Sequence, residues 1–82
     1  MNDVPVRQRI REFIERHVRQ RNFDDDVDIF ALGFVNSMFA MQLVLFVEGD
    51  FGIKVEDEDL EIDNFKSVNA IGDLVERKWR EA

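Results

Sequence analysis

The sequence predicts an all-α domain in which three main helices and one short helix pack as a four-helix bundle. Two stretches, about 5–20 and 67–80, place apolar residues at helical spacing. A third, 37–50, is largely apolar and has no proline and no turn residue before Gly49. No stretch alternates apolar and polar residues as a half-buried strand does. With 82 residues, the chain is predicted to form one domain over 1–82.

The first helix is predicted from about 5 to 20. Pro5 suits its first turn, because a proline lacks the N–H that would be unsatisfied there. Residues then recur at helical spacing: Val6, Ile10, Phe13, Ile14, His17 and Val18. This stripe should face the core, with His17 as a packing residue within it and the arginines on the solvent side.

A long loop, 21–36, is predicted to follow, and it is unusually apolar. Four of its residues should pack on the helices: Ile29, Phe30, Leu32 and Phe34. Gly33 is expected to supply a backbone angle that other residues resist. The aspartates from Asp24 onward resemble a calcium loop. However, Ile29 and Val35 occupy the positions that require glycine and glutamate, so the sequence does not support calcium binding.

The central helix is predicted over about 37–50, with Ser37 as N-cap and Gly49 or Gly52 as C-cap. Helical periodicity assigns a buried face: Ala40, Leu43, Val44, Val47 and Phe51. Other apolar residues lie outside this face. Phe39 and Phe46 lie along its edge, and the opposite side of the helix carries Met38, Met41 and Leu45. This helix is therefore either buried all round or keeps an exposed apolar patch for a partner.

A short third helix is expected within 57–66 and a last helix over about 67–80. The charged run 56–61 is broken by Leu60 and is interpreted as a solvated loop or an irregular helical turn. Phe65 should anchor the next turn in the core, and Ser67 should cap the last helix. The apolar stripe of that helix contains Val68, Ile71, Leu74, Val75 and Trp79.

Composition argues against catalysis by the chain itself. There is no cysteine, so no disulfide, thiolate metal site or cysteine nucleophile can form. A serine hydrolase would require the one histidine, His17, to leave its stripe and reach Ser37. The carboxylates crowd into loops that a small domain hardly buries, so neither a paired acid and base nor a metal site is expected.

Charge argues against nucleic acid as a partner. The net charge is −7, and the six arginines within 1–22 are spread around the exposed side of the helix with two glutamates among them, which is typical of a solvated helix face. No apolar run approaches the roughly 20 residues of a membrane span, and the N-terminus lacks a secretory signal pattern. We therefore expect a cytoplasmic monomer with no membrane partner.

A serine hydroxyl that another enzyme modifies is the remaining chemistry. The candidates, Ser37 and Ser67, both resemble N-caps, and a capping role worth about 1 kcal/mol accounts for either one by itself. Only Ser37 lies beside a possible docking patch. A phosphodiester there would also meet the free N–H groups at the start of a helix.

The stretch 28–38, DIFALGFVNSM, resembles the modification loop of acyl and peptidyl carrier proteins, D-x-F-x-x-G-x-x-D-S-L. The segments 51–53 and 63–71 resemble the end of that family's second helix and the junction of its third and fourth helices. The similarity covers about 7–79, and the order and spacing of the segments agree.

This resemblance implies a four-helix carrier domain in which Ser37 receives 4′-phosphopantetheine from coenzyme A. A separate magnesium-dependent phosphopantetheinyl transferase would attach it, and its terminal thiol would hold an acyl or aminoacyl group as a thioester. The other implied partners are acyl- or aminoacyl-loading enzymes and downstream synthases or dehydrogenases. In this family the carrier is not itself an enzyme.

The chain departs from the family pattern around Ser37. Asn36 and Met38 replace the usual Asp and Leu, and Phe39 and Gln42 occupy outer positions that are acidic in fatty-acid carriers. Recognition should therefore depend more on apolar contact and less on salt. The expected docking residues are Asn36, Met38, Phe39, Met41, Gln42, Leu45 and Glu48.

The stretch 34–44 is similar to free-standing carriers on which unusual malonyl-type extender units are built for polyketide or hybrid natural products, antibiotics among them. A stand-alone aminoacyl or peptidyl carrier is the nearest alternative. An unmodified helical interaction module would use the same apolar patch. A nucleic-acid binder would use the arginines of the first helix and would bind in a salt-sensitive way.

Overall fold

The computed structural model describes residues 5–18, 23–31, 33 and 36–81. Within these ranges it contains four α-helices and no strand, which confirms the predicted all-α class. The helices are α1 (Val6–Val18), α2 (Ser37–Phe51), α3 (Ile62–Phe65) and α4 (Val68–Glu81), and one 3₁₀ turn covers Asp57–Asp59. The end of the first predicted helix, 19–20, and the loop residues Leu32, Phe34 and Val35 lie outside the described residues.

The core takes side chains from every helix and from the loop before α2. Its buried apolar residues are Ile10, Ile14, Phe23, Ile29, Phe39, Leu43, Val47, Phe65, Val68, Ile71, Leu74 and Val75. Burial of apolar surface on this scale is the main favourable contribution to folding. Ile29 and Phe65 are buried as the sequence predicted.

The loop before α2 is attached to both flanking parts of the bundle. Arg11 of α1 donates to Asp25 Oδ1, with its Nε 3.0 Å away, and the Asp25 carbonyl accepts from the Asn69 N–H at 3.0 Å. The Ile29 N–H donates to the Lys66 carbonyl at 2.7 Å. The loop therefore approaches the start of α2 from a position that α1 and the α3–α4 junction define.

Two glycines have the backbone angles that the sequence led us to expect. Gly33 has φ 78° and Gly52 has φ 66°, both in the left-handed region that favours glycine. Gly52 is the C-cap of α2, and its N–H donates to the Glu48 carbonyl at 3.1 Å. Trp79 secures the same end of α2 to α4, because its indole N–H donates to the Phe51 carbonyl at 2.8 Å.

A buried ion pair joins the 3₁₀ turn to α4. Lys78 Nζ lies 2.7 Å from Asp59 Oδ2, and Asp59 is only 8 % exposed. The same oxygen accepts from the Glu56 N–H at 2.9 Å. The hydrogen bond from Lys78 lowers the pKa of the Asp59 carboxyl, and burial opposes that change without cancelling it. The acidic run 56–61 is therefore partly structural rather than wholly solvated.

We expect Asp59→Asn to lower the free energy of unfolding near neutral pH and to matter progressively less in acid. A carboxyl whose pKa is depressed in the folded state stabilises the fold above its ordinary pKa of about 3.8, and that contribution is lost as pH falls through the lower folded value. Urea unfolding of both proteins from pH 6 to pH 2.5 measures the difference. The exposed neighbour gives a control variant, Asp57→Asn, and a difference that stays constant with pH would contradict this account.

Candidate functional site

The start of α2 is capped by Asn36, so the prediction that Ser37 is the N-cap is wrong. Asn36 has extended backbone angles, and its Oδ1 accepts from the Phe39 N–H at 2.9 Å. Its carbonyl accepts from the Ala40 N–H, also at 2.9 Å. A cap must have a non-helical backbone, whereas Ser37 is already the first helical residue. Ser67 does cap α4 as predicted, with its Oγ accepting from the Ala70 N–H at 3.0 Å.

The two serines consequently differ in what their hydroxyls can do. Ser37 is exposed and has no capping function, whereas Ser67 is 5 % exposed and its oxygen is engaged. The first two N–H groups of α2, those of Ser37 and Met38, have no hydrogen-bond partner among the described residues. The first turn of α2 also carries no acidic residue. These donors, at the positive end of the helix, fit a phosphodiester on Ser37 Oγ.

Beside Ser37 lies an exposed apolar surface, which we call the apolar patch: Met38, Met41, Leu45, Leu60 and Ile62. Its three residues on α2 are 71 %, 60 % and 63 % exposed, so α2 is not buried all round. Met41, Leu60 and Ile62 also line a groove of about 240 Å³ between α2 and α3. The apolar character of this exposed surface is typical of a protein-binding site.

Sequence reasoning missed the contribution of Leu60 and Ile62 to this surface. The sequence pattern identifies Leu60 only as a break in a charged run. A usable signal existed, because two large apolar residues among acidic neighbours had no helical stripe that would bury them. Acidic residues surround Leu60 and Ile62, so this end of the apolar patch is negatively charged. The part of the patch on α2 is apolar.

Two of the predicted docking residues do not belong to an open surface. Phe39 is only 7 % exposed, and its ring stacks on Phe13 with centroids 5.7 Å apart. The prediction that it contributes an exposed docking contact is therefore wrong, since α1 supplies it with an aromatic partner. Glu48 is half-buried and its carboxylate accepts from the Val55 N–H at 2.9 Å, which holds the segment after α2. Gln42 is exposed.

His17 packs on aromatic rings, as predicted, but its side chain is exposed rather than enclosed in the core. The centroid of its ring lies 4.3 Å from the centroid of the Phe13 ring and 5.3 Å from that of the Phe39 ring. Its Nδ1 lies 2.9 Å from the Phe13 carbonyl oxygen. Because a carbonyl only accepts, Nδ1 carries a proton and donates it.

This histidine lies in a cleft between the end of α1 and the start of α2, which we call the arm cleft: His17, Asn36, Met38, Phe39 and Gln42. No carboxylate is present among these described lining residues, so they do not form a serine-histidine-acid arrangement.

In the described part of the chain, no group of three or more possible metal ligands is found. None of the described helices is both long and apolar enough to span a membrane.

Comparison with known protein families matches residues 5–75 to the family described as phosphopantetheine attachment site. Comparison with curated proteins gives no match. Domains of the matched family receive 4′-phosphopantetheine covalently. They are modified by phosphopantetheinyl transferases, interact with biosynthetic enzymes and are normally non-catalytic. Because the match covers most of the chain and its four-helix architecture agrees, this chain belongs to the phosphopantetheine attachment family and is a carrier protein.

Proposed function

We propose that Ser37 is the attachment residue for 4′-phosphopantetheine and that the chain carries an acyl or aminoacyl group as a thioester on that arm. The observation that carries this proposal is the contrast between the two serines. Ser37 presents an exposed hydroxyl with no hydrogen bond to a described residue, whereas Ser67 is buried and its hydroxyl caps a helix. The chain has no third serine and no threonine or tyrosine.

The residues around Ser37 would hold the phosphate end of the arm. The N–H groups of Ser37 and Met38, which bond to no described residue, would face its negative charge, and Asn36 would keep the first turn of α2 in place. The Asn36 side chain is an uncharged amide, so it does not repel the phosphate as an aspartate at this position would. When attached, the group supplies the thiol that a chain without cysteine lacks.

We further propose that partner enzymes dock on the apolar patch and that the pathway makes polyketide or hybrid natural products, with an unusual malonyl-type extender unit as cargo. The exposed methionines and leucine of α2 support contact that is mainly apolar. Flexible methionines adapt to several partners, as a carrier requires. The partners would be the transferase, a loading enzyme, and downstream synthases or dehydrogenases. A stand-alone aminoacyl carrier is the alternative for the cargo.

The attachment site is tested by incubating the purified chain with coenzyme A, magnesium and a broad-specificity phosphopantetheinyl transferase. Intact mass should show one phosphopantetheinyl adduct per chain, and fragmentation should locate it on the peptide that contains Ser37. No adduct, or an adduct on the peptide that contains Ser67, would overturn the proposal.

The docking proposal predicts that Met41→Asp and Leu45→Asp slow loading by the transferase about fivefold or more each. A carboxylate at either position would be desolvated against an apolar partner surface, and truncations at the centre of an interface typically cost over about 1 kcal/mol. Initial loading rates at low and high salt measure the effect, and the wild-type rate should depend on salt less steeply than that of a carrier with an acidic helix face. Gln8→Asp, at an exposed position on α1, is the matched control. Equal rates in all three variants would contradict docking on the patch.

A further inference from the structure

We propose that the arm cleft holds the pantetheine part of the prosthetic arm, with Nε2 of His17 as a hydrogen-bond acceptor for one of its amide N–H groups. This inference rests on attachment at Ser37. It adds a role for α1, which the attachment itself does not require.

The arm cleft adjoins the attachment residue on both sides in the chain. Asn36, immediately before Ser37, and Met38, immediately after it, both line the cleft. Its volume is about 230 Å³. Sites that enclose a whole small molecule have roughly 300–1,000 Å³, so this cleft suits a section of the arm and not its full length.

No hydrogen bond joins Nε2 of His17 to any described residue, so this ring nitrogen can make such a contact. Nδ1 donates to the Phe13 carbonyl, so in the neutral ring Nε2 has no proton and accepts hydrogen bonds. The ring also contacts the rings of Phe13 and Phe39. A side chain that is already held in place loses little conformational freedom when it binds a ligand.

The polarity of the arm favours this cleft over the groove between α2 and α3. Pantetheine alternates amide groups with short apolar segments. The arm cleft matches this alternation, because it offers His17, Asn36 and Gln42 beside Met38 and Phe39. The groove is lined almost entirely by apolar side chains, among them Val44, Ile62 and Phe65. Amide groups placed there would lose their hydrogen bonds to water without replacement.

The contact is tested by NMR on the chain loaded with isotope-labelled phosphopantetheine. The chain contains a single histidine, so its imidazole signals are assigned without ambiguity. We expect nuclear Overhauser effects between pantetheine protons and both the His17 ring and the Met38 methyl group. Effects to Leu60 and Ile62 in their place would put the arm in the groove, and no effects at all would leave it in solvent. Either result overturns the inference.

A matched variant, His17→Phe, keeps an aromatic ring on Phe13 and Phe39 and removes Nε2. In the loaded variant the pantetheine amide protons should exchange with water about two- to tenfold faster than in the loaded wild type, as expected for the loss of one hydrogen bond. Ile62→Ala, in the groove, should leave that exchange unchanged. Unchanged exchange in His17→Phe would overturn the hydrogen bond. Absence of a mass adduct would instead defeat the attachment at Ser37, and this inference with it.

Discussion

Replacing Ser37 with alanine is expected to abolish attachment of phosphopantetheine while changing the free energy of unfolding by less than about 0.5 kcal/mol. The substitution removes the oxygen to which the group is joined. It removes nothing that the helix requires, because Asn36 caps α2 and the Ser37 side chain is exposed. Intact mass after incubation with coenzyme A and the transferase measures attachment, and urea unfolding measures stability.

Ser67→Ala is the matched control and should behave in the opposite way. It should load fully but unfold more easily by about 1 kcal/mol, because its hydroxyl accepts the Ala70 N–H at the start of α4. Asn36→Ala should lose a similar amount through the same kind of cap at α2, with Ser37 still present. An adduct on Ser37→Ala, or equal stability losses in the two serine variants, would contradict the separation of roles seen here.

At this site, the sequence predicts the position of Ser37 correctly but not the residue that caps α2. The position of Ser37 at the start of an apolar helix followed from spacing alone. The cap did not, because Asn36 and Ser37 are adjacent and both are favourable N-cap residues. Which one caps depends on where the backbone becomes helical, and the loop contacts made through Asp25 and Ile29 constrain that entry.

Longer-range contacts explain the other differences. Periodicity within α2 placed Phe39 at an edge, but its burial depends on Phe13, which lies 26 positions earlier on a different helix. His17 belongs to the helical stripe of α1 but is exposed, because its ring packs on the rings of Phe13 and Phe39 and not within the core cluster. A pattern read along one helix does not contain the side chains that meet it from another.

The exposure of α2 on one side follows from the size of the domain. A chain of 82 residues has too few elements to surround a central helix, and here α1, α3 and α4 leave the face with Met38, Met41 and Leu45 uncovered. The apolar character of α2 therefore combines two requirements. Leu43 and Val47 contribute to folding, whereas the uncovered residues are available to partners.

The same substitution at two positions of α2 distinguishes the contribution to folding from the contribution to partner binding. The two variants are Leu43→Ala and Leu45→Ala. Leu43 is fully buried, so its truncation should lower the free energy of unfolding by about 2–5 kcal/mol. That loss is a large fraction of the roughly 5–15 kcal/mol that stabilises a typical domain. Leu45 is 63 % exposed, so the same change should cost under about 1 kcal/mol. Both variants replace leucine with alanine within α2. The change in helix propensity is therefore the same in both, and it cancels when the two losses of stability are compared.

Loading should respond to the two changes for different reasons. The loading rate of Leu43→Ala should fall in proportion to the unfolded fraction and should recover under conditions that restore folding, because the patch itself is intact. The rate of Leu45→Ala should fall although the protein stays folded, because the transferase loses an apolar contact. Urea unfolding and initial loading rates, measured on the same samples, distinguish these outcomes. Equal stability losses, or a Leu45→Ala variant that loads at the wild-type rate, would show that α2 does not divide core and docking functions between its faces.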